Sequence, residues 1–472
     1  MTPSTHSDWR IPASTHRSAY TRTPLLRRSS IGARTRMPAH LLTLVTLLLL
    51  FASNFFLVNQ RFGLKTDGGV NAVGPRDAAL LLFLLAAFPW VLKAPKAIWR
   101  NAAIVTIVVA ATLAVPLALL GIRQGSPIRD VMYETLMVAS WLVLPCIIAV
   151  IQSIDDVMRL AWILVAIGML VTAGVYLEVA LSIPVVTGTN AGIVLDGVQL
   201  LRSTPSCWPV MLIAFALLLA RYTHGPHGSP ALRLATLPMI ALIAVASLLT
   251  QSRTLLVGIV LIAVSIGLTR GKKGVLTIVV AAVLIGGAWA LAMLIGTTNM
   301  GSTFDTYMTR RYSVFYEAGD RDTYMEQERR PADISAFVSN PGSWLLTGSA
   351  LGQPLWAVNR EMRFESPTSD VSFVQLGTRF GLAGLMMLAA FAIVPLVILA
   401  RARRNPRPLR WLTVGLSAVS FALWVCALFG NVWSAPYQTP SVVAALALAI
   451  WSDRYAAAYR HIIIRRPFRK AA

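Results

Sequence analysis

Apolar runs of roughly 18 to 25 residues recur along this 472-residue chain, and each is about the length a helix needs to cross about 30 Å of hydrocarbon. Backbone polar groups must pair internally where no water is present, so such runs fold as helices. They predict spans at about 39–58, 78–92, 102–121, 131–151, 159–182 and 206–220, then at about 234–250, 254–269, 275–296, 371–400, 411–430 and 437–452. Hydrophobic residues make up 56% of the chain and charged residues only 13%, about half the charged share of a soluble domain. The expected fold class is all-α: a polytopic membrane bundle of about 12 helices.

The spans divide the chain. Residues 1–37 are polar, rich in Arg, Ser and Thr, and expected to be disordered. The basic stretch is too long for a secretory signal, so the first span reads as an uncleaved anchor. Helices 1–9 fill 38–296, a large loop covers 297–370, helices 10–12 fill 371–452, and 453–472 is a second basic tail. Pro331 and the turn Asn340-Pro341-Gly342 predict short helices within the loop.

The net charge of +22 raises the question of nucleic acid. The placement of the charges answers it. With the N-terminus in the cytoplasm, cytoplasmic segments hold 27 Lys and Arg and the short outer loops hold 7. That bias is the orientation signal of a membrane protein, and no nucleic acid is needed to explain it. Both termini are then cytoplasmic and the large loop lies outside, nearly neutral with ten acidic and seven basic residues.

Cys146, Cys207 and Cys426 lie in or beside apolar runs, without metal-ligand spacing. Asp320-Arg321-Asp322 has Asp-x-Asp spacing, too little to specify a metal. His224 and His227 read as ordinary loop residues, and Gly271-Lys272-Lys273-Gly274 lacks the frame of a P-loop.

Ionisable residues near spans are functional candidates. Glu134, Glu178, Arg202, Arg253 and Arg379 all fall near the expected outer boundary. Arg253 sits in the short hairpin Thr250-Gln251-Ser252-Arg253-Thr254 between two apolar spans. An arginine there either snorkels to head groups or grips a phosphate with its fork of N–H donors. Arg202, in Leu200-Leu201-Arg202-Ser203-Thr204-Pro205, has the same two readings. Asp370, in Pro367-Thr368-Ser369-Asp370 before an apolar helix, also fits a helix N-cap. The loop aromatics Tyr307, Tyr312, Tyr316, Tyr324, Trp344 and Trp356 suit either sugar stacking or anchoring at the membrane interface.

These residues carry a resemblance to the superfamily of O-antigen ligases and Wzy-type polymerases. The hairpin around Arg253 is similar to that superfamily's Ser-Arg hairpin, and Arg202 to its earlier arginine. Gly319-Asp320-Arg321, Asn340-Pro341 and Gly348-Ser349-Ala350-Leu351-Gly352 resemble its large periplasmic loop. Asp370-Val371-Ser372-Phe373 with Gly381-Leu382-Ala383-Gly384 resembles the motif entering the next span. Ligases of the family usually have His-Asn where this chain has Asp370-Val371, and the acidic residue points toward polymerisation.

The resemblance implies a metal-independent and cofactor-free glycosyltransferase of the inner membrane. It would move a glycan from undecaprenyl diphosphate to an acceptor hydroxyl, with Asp370 and Arg321 as catalytic residues and Arg253, Arg202 and Arg321 holding the diphosphate. The implied partners are the carrier-linked glycan, membrane lipids, a flippase and a chain-length regulator. The alternatives are a ligase acting on lipid A-core, a lipid-linked glycan transporter, and a structural subunit of an assembly machine.

Overall fold

The computed structural model describes residues 37–55, 64–65, 71–94, 98–181, 186, 191–195, 198–202, 208–225, 230–250, 253–271, 274, 329–359, 369, 371–428, 430, 432–433, 435 and 438–465. The chain forms two units, Met1–Pro38 and Ala39–Ala472, and all the elements below belong to the second.

Among the described residues, six helices are long and apolar enough to cross a membrane: Pro75–Leu92, Ala102–Arg123, Ile128–Val150, Ile154–Glu178, Ser372–Ala402 and Leu409–Ala427. Shorter apolar helices occupy Ala39–Asn54, Trp208–His224, Ala235–Ser247 and Thr254–Thr269. Their outward surfaces are apolar. Leu85 is 72% exposed, Leu119 64% and Val115 63%, a coating that in water would form a large sticky patch and in lipid is at home. The chain is therefore a helical membrane protein.

In chain order the helices are α1 (Ala39–Asn54), α2 (Pro75–Leu92), α3 (Ala102–Arg123), α4 (Ile128–Trp141), α5 (Val143–Val150) and α6 (Ile154–Leu181), followed by α7 (Trp208–His224), α8 (Pro230–Leu249) and α9 (Arg253–Thr269). After the loop come α10 (Arg329–Ser339), α11 (Leu355–Val358), α12 (Ser372–Ala402), α13 (Arg407–Ala427) and α14 (Thr439–Arg465). The expected ninth span, 275–296, and the loop residues 297–328 lie outside the described residues.

Two starts differ from the apolar pattern because polar caps extend the helices. Asp77 accepts a hydrogen bond from Gly74 N–H at 2.9 Å, so α2 opens at Pro75 rather than near 78. Asp156 accepts from Gln152 and Ser153 N–H while Ser153 Oγ accepts from Asp156 N–H, so α6 opens at Ile154 rather than near 159. At α6 the capping is reciprocal, whereas at α2 Asp77 supplies one half alone, because the N-cap Gly74 has no side chain. α14 runs on to Arg465, into the stretch read from sequence as a tail. The fold class is all-α, as expected. Among the described residues, two short antiparallel hairpins accompany the helices, β1 (Leu64–Lys65) with β2 (Asn71–Val73) and β3 (Ala191–Leu195) with β4 (Val198–Arg202).

The centre of the bundle is α7, whose residues from Trp208 to Ala220 are buried on every side. A helix apolar all round belongs in such a place. It packs against α6, α8, α9 and α13. α12 packs against α3 and α13. Its course changes at Gly381, whose φ of +55° and ψ of −136° break the helical path, a conformation open to glycine alone.

Candidate functional site: a buried hydrogen-bonded chain beside Asp370

Glu134 on α4 and Arg379 on α12 form a completely buried ion pair, with Arg379 Nε 2.7 Å from Glu134 Oε1. Isolated, either charge would be expelled from this interior. Here each is also heavily hydrogen-bonded. Glu134 accepts from Gln375 Nε2 and from Gly352 N–H, both at 2.5 Å. Arg379 Nη1 donates to Ser349 Oγ and Ala350 O, each at 3.0 Å, and Nη2 donates to Gln353 O. Gln375 and Arg379 are one helical turn apart, so both reach the same carboxylate.

This arrangement clamps loop residues 344–354 to the bundle. Backbone contacts reinforce it: Leu351 N–H donates to Leu117 O at 3.1 Å, Ser349 N–H to Arg379 O at 3.3 Å, and Leu382 N–H to Leu345 O at 2.8 Å. Glycines permit the approach. A Cβ on Gly381 would lie 2.7 Å from Leu345 O and 2.8 Å from Trp344 O. Gly348 and Gly352 both take positive φ, +74° and +77°. The segments Gly348-Ser349-Ala350-Leu351-Gly352 and Gly381-Leu382-Ala383-Gly384, far apart in sequence, thus pack against one another.

The chain of hydrogen bonds continues to the flanks of Asp370. Gln375 Oε1 accepts from Ser369 N–H at 2.6 Å. Ser369 Oγ donates to Asp333 Oδ2 at 2.8 Å and accepts from Val371 N–H at 3.2 Å. Asp333 is fully buried on α10. Both neighbours of Asp370 are therefore held, while Asp370 itself lies outside the described residues. The capping reading needs correction: Val371 occupies the N-cap position of α12, with no side-chain cap.

The start of α12 is joined to the stretch between α13 and α14. Ser372 N–H and Oγ both donate to Gly430 O, at 3.2 and 3.0 Å, and Trp433 N–H donates to Ser372 Oγ at 3.0 Å. Trp141 Nε1 donates to Trp433 O at 2.8 Å. The last turn of α13 meets the start of α9, where Cys426 Sγ donates to Thr254 O at 3.4 Å. So the first turn of α9 lies against the end of α13 at Cys426, and the first turn of α12 against Gly430 and Trp433 just beyond it. Arg253 is the first residue of α9. Arg202 ends β4, paired with Ala191. Arg321 lies outside the described residues.

Glu134 and Arg379 were legible as polar residues near one boundary, but their pairing was not. Asp333, Ser369 and Gln375 were missed. The signal for Gln375 was its i,i+4 spacing to Arg379 inside an apolar span. Trp344 is buried, stacked on Phe337 with ring centroids 3.9 Å apart, and belongs to a small core with Val371 and Val374. That removes it from the candidate sugar-stacking residues. Trp356 is 48% exposed. The four candidate loop tyrosines fall outside the described residues. Glu178, also buried, accepts from Val186 N–H at 2.5 Å.

No known protein family matches this chain, and no curated protein matches it.

Proposed function

We propose that this protein is a glycosyltransferase of the cytoplasmic membrane that polymerises undecaprenyl-diphosphate-linked repeat units of O-antigen or exopolysaccharide. In this reading it has twelve spans, cytoplasmic termini and a periplasmic loop at 297–370. The observation that carries the proposal is the hydrogen-bonded chain from Asp333 through Ser369, Gln375 and Glu134 to Arg379. It fixes both sides of Asp370 at the end of the bundle where α9, opened by Arg253, also begins. Transfer from a lipid diphosphate requires a carboxylate close to guanidiniums, and in this reading these are Asp370 and Arg253, Arg202 and Arg321.

In the proposed reaction the acceptor hydroxyl attacks the anomeric carbon of the carrier-bound glycan. The bond to the diphosphate oxygen breaks, and undecaprenyl diphosphate leaves with the electron pair. Arg253, Arg202 and Arg321 offset the charge gathering on that leaving group. Asp370 orients the hydroxyl and takes up its proton. No metal or other cofactor takes part.

Purified protein incubated with its carrier-linked repeat unit as sole substrate tests this. A ladder of repeats on a gel is the expected product. Product only after lipid A-core is added would replace polymerase by ligase. Carrier-linked glycan crossing vesicles with no new glycosidic bond would replace both by a transporter.

A further inference from the structure

At the opposite end of α12 the chain turns sharply through Arg403, Arg404, Asn405 and Pro406 into α13. Asn405 is 1% exposed, and neither its Nδ2 nor its Oδ1 has a hydrogen-bond partner. A buried amide with both ends unsatisfied costs free energy and calls for an explanation such as an absent ligand. The start of α13 is unusual in the same direction. Its N-cap, Pro406, supplies no side-chain cap, and its first turn holds no acidic residue. Arg410 stands there instead, a cation near the positive end of a helix dipole, where an anion is favoured.

More positive charge converges on this turn. Arg410 donates through Nε and Nη2 to Asn405 O at 3.3 and 3.1 Å. Arg403 donates to Leu268 O near the end of α9. Arg270 and Arg410 both place charge close to the ring of His224, which hydrogen-bonds Thr269 Oγ1 at 2.9 Å. Among the described residues, no carboxylate forms an ion pair with Arg403 or Arg410. Nearby on α7, the Arg221 guanidinium lies 4.5 Å from the ring centroid of Trp162 and 5.9 Å from that of Trp411. Tryptophan favours the membrane–water interface, and a cation over its ring adds to the attraction there.

We propose that the turn 403–406 and the first turn of α13 bind the head group of an anionic, hydroxyl-bearing phospholipid of the phosphatidylglycerol type. The phosphate oxygens accept from Asn405 Nδ2 and the surrounding guanidiniums, and a glycerol hydroxyl donates to Asn405 Oδ1. A phosphatidylcholine head group has no hydroxyl or N–H to donate and no net charge to offer. Arg403 and Arg404 are exposed, so their arms can swing aside to admit the head group. The site is independent of the glycan chemistry proposed above and lies at the other end of the bundle.

The test uses the full chain in neutral detergent, following its thermal unfolding midpoint against added phosphatidylglycerol, phosphatidylcholine or inorganic phosphate. Phosphatidylglycerol is expected to raise the midpoint saturably, and the other two to leave it unchanged. Asn405→Ala should weaken the apparent affinity for phosphatidylglycerol about fivefold, the worth of about one net hydrogen bond, and Arg410→Gln by a similar factor, that of one cation near a lipid surface. Should either fail to fold, the exposed Arg403→Gln reads the same effect. The proposal is overturned by no response to phosphatidylglycerol, by an equal response to phosphatidylcholine, by inorganic phosphate reproducing the shift, or by folded variants that respond as the wild type does.

Discussion

Replacing Glu134 by alanine leaves the Arg379 guanidinium charged and enclosed, and the size of the penalty follows from the geometry. At 2.7 Å the pair attracts by about 6 kcal/mol at an effective dielectric near 20. Removing both charges from water costs several kcal/mol per ion, so the intact pair roughly breaks even against apolar residues. Deleting one partner leaves the other's desolvation uncompensated, worth about 3–5 kcal/mol. Glu134→Ala and Arg379→Ala should each destabilise by that amount. The double variant should cost less than their sum, with a coupling of about 2–3 kcal/mol. Reversible unfolding in mixed micelles titrated with dodecyl sulfate measures all four corners of the cycle. Limited proteolysis supplies a local readout, because loss of either residue releases 344–354 from the bundle and exposes it to cleavage. Strictly additive effects, or single variants within about 0.5 kcal/mol of wild type, would refute the reasoning.

Three further outcomes are expected. Gly381→Ala places a Cβ against the carbonyls of Leu345 and Trp344 at a positive φ, and should lower the yield of folded protein and its melting temperature by the equivalent of about 1–3 kcal/mol. Trp344→Ala, which empties the stack on Phe337, should cost about 3–5 kcal/mol, whereas Trp356→Ala on the exposed side should change stability by about 0.5 kcal/mol or less. Arg253→Ala and Asp370→Ala should abolish polymer output in cells at unchanged protein levels; full output from both would sink the proposed site.

The membrane helices were legible because lipid leaves the backbone few alternatives: a long apolar run becomes a helix. Boundaries were less legible where polar caps decide them, as Asp77 and Asp156 do. The hairpins were not legible, since strands of two to five residues leave little periodicity to read. For the site, the sequence pointed to Glu134 and Arg379 as unusual residues but said nothing of their meeting. That depends on how α4, α12 and the loop pack, which hydropathy along a chain does not encode. Ser369 and Asp333 gave no signal at all, because a serine and an aspartate in a polar loop are what any exposed loop contains. Only their burial makes them informative.

The Glu134–Arg379 pair also sets an order of assembly. The two residues are 245 positions apart, and at about 5–20 residues per second a ribosome needs about 12–50 s to travel between them. Throughout that interval α4 is already made and its carboxylate has no guanidinium to meet. The nascent bundle must keep Glu134 hydrated at the membrane surface, or hold it protonated, until α12 arrives. The closing step of biogenesis is therefore the docking of the last third of the chain, which brings the missing charge and the loop segment in together. A chain that stops short of Arg379 would carry an unmatched acid in α4 and leave residues 344–354 without their clamp.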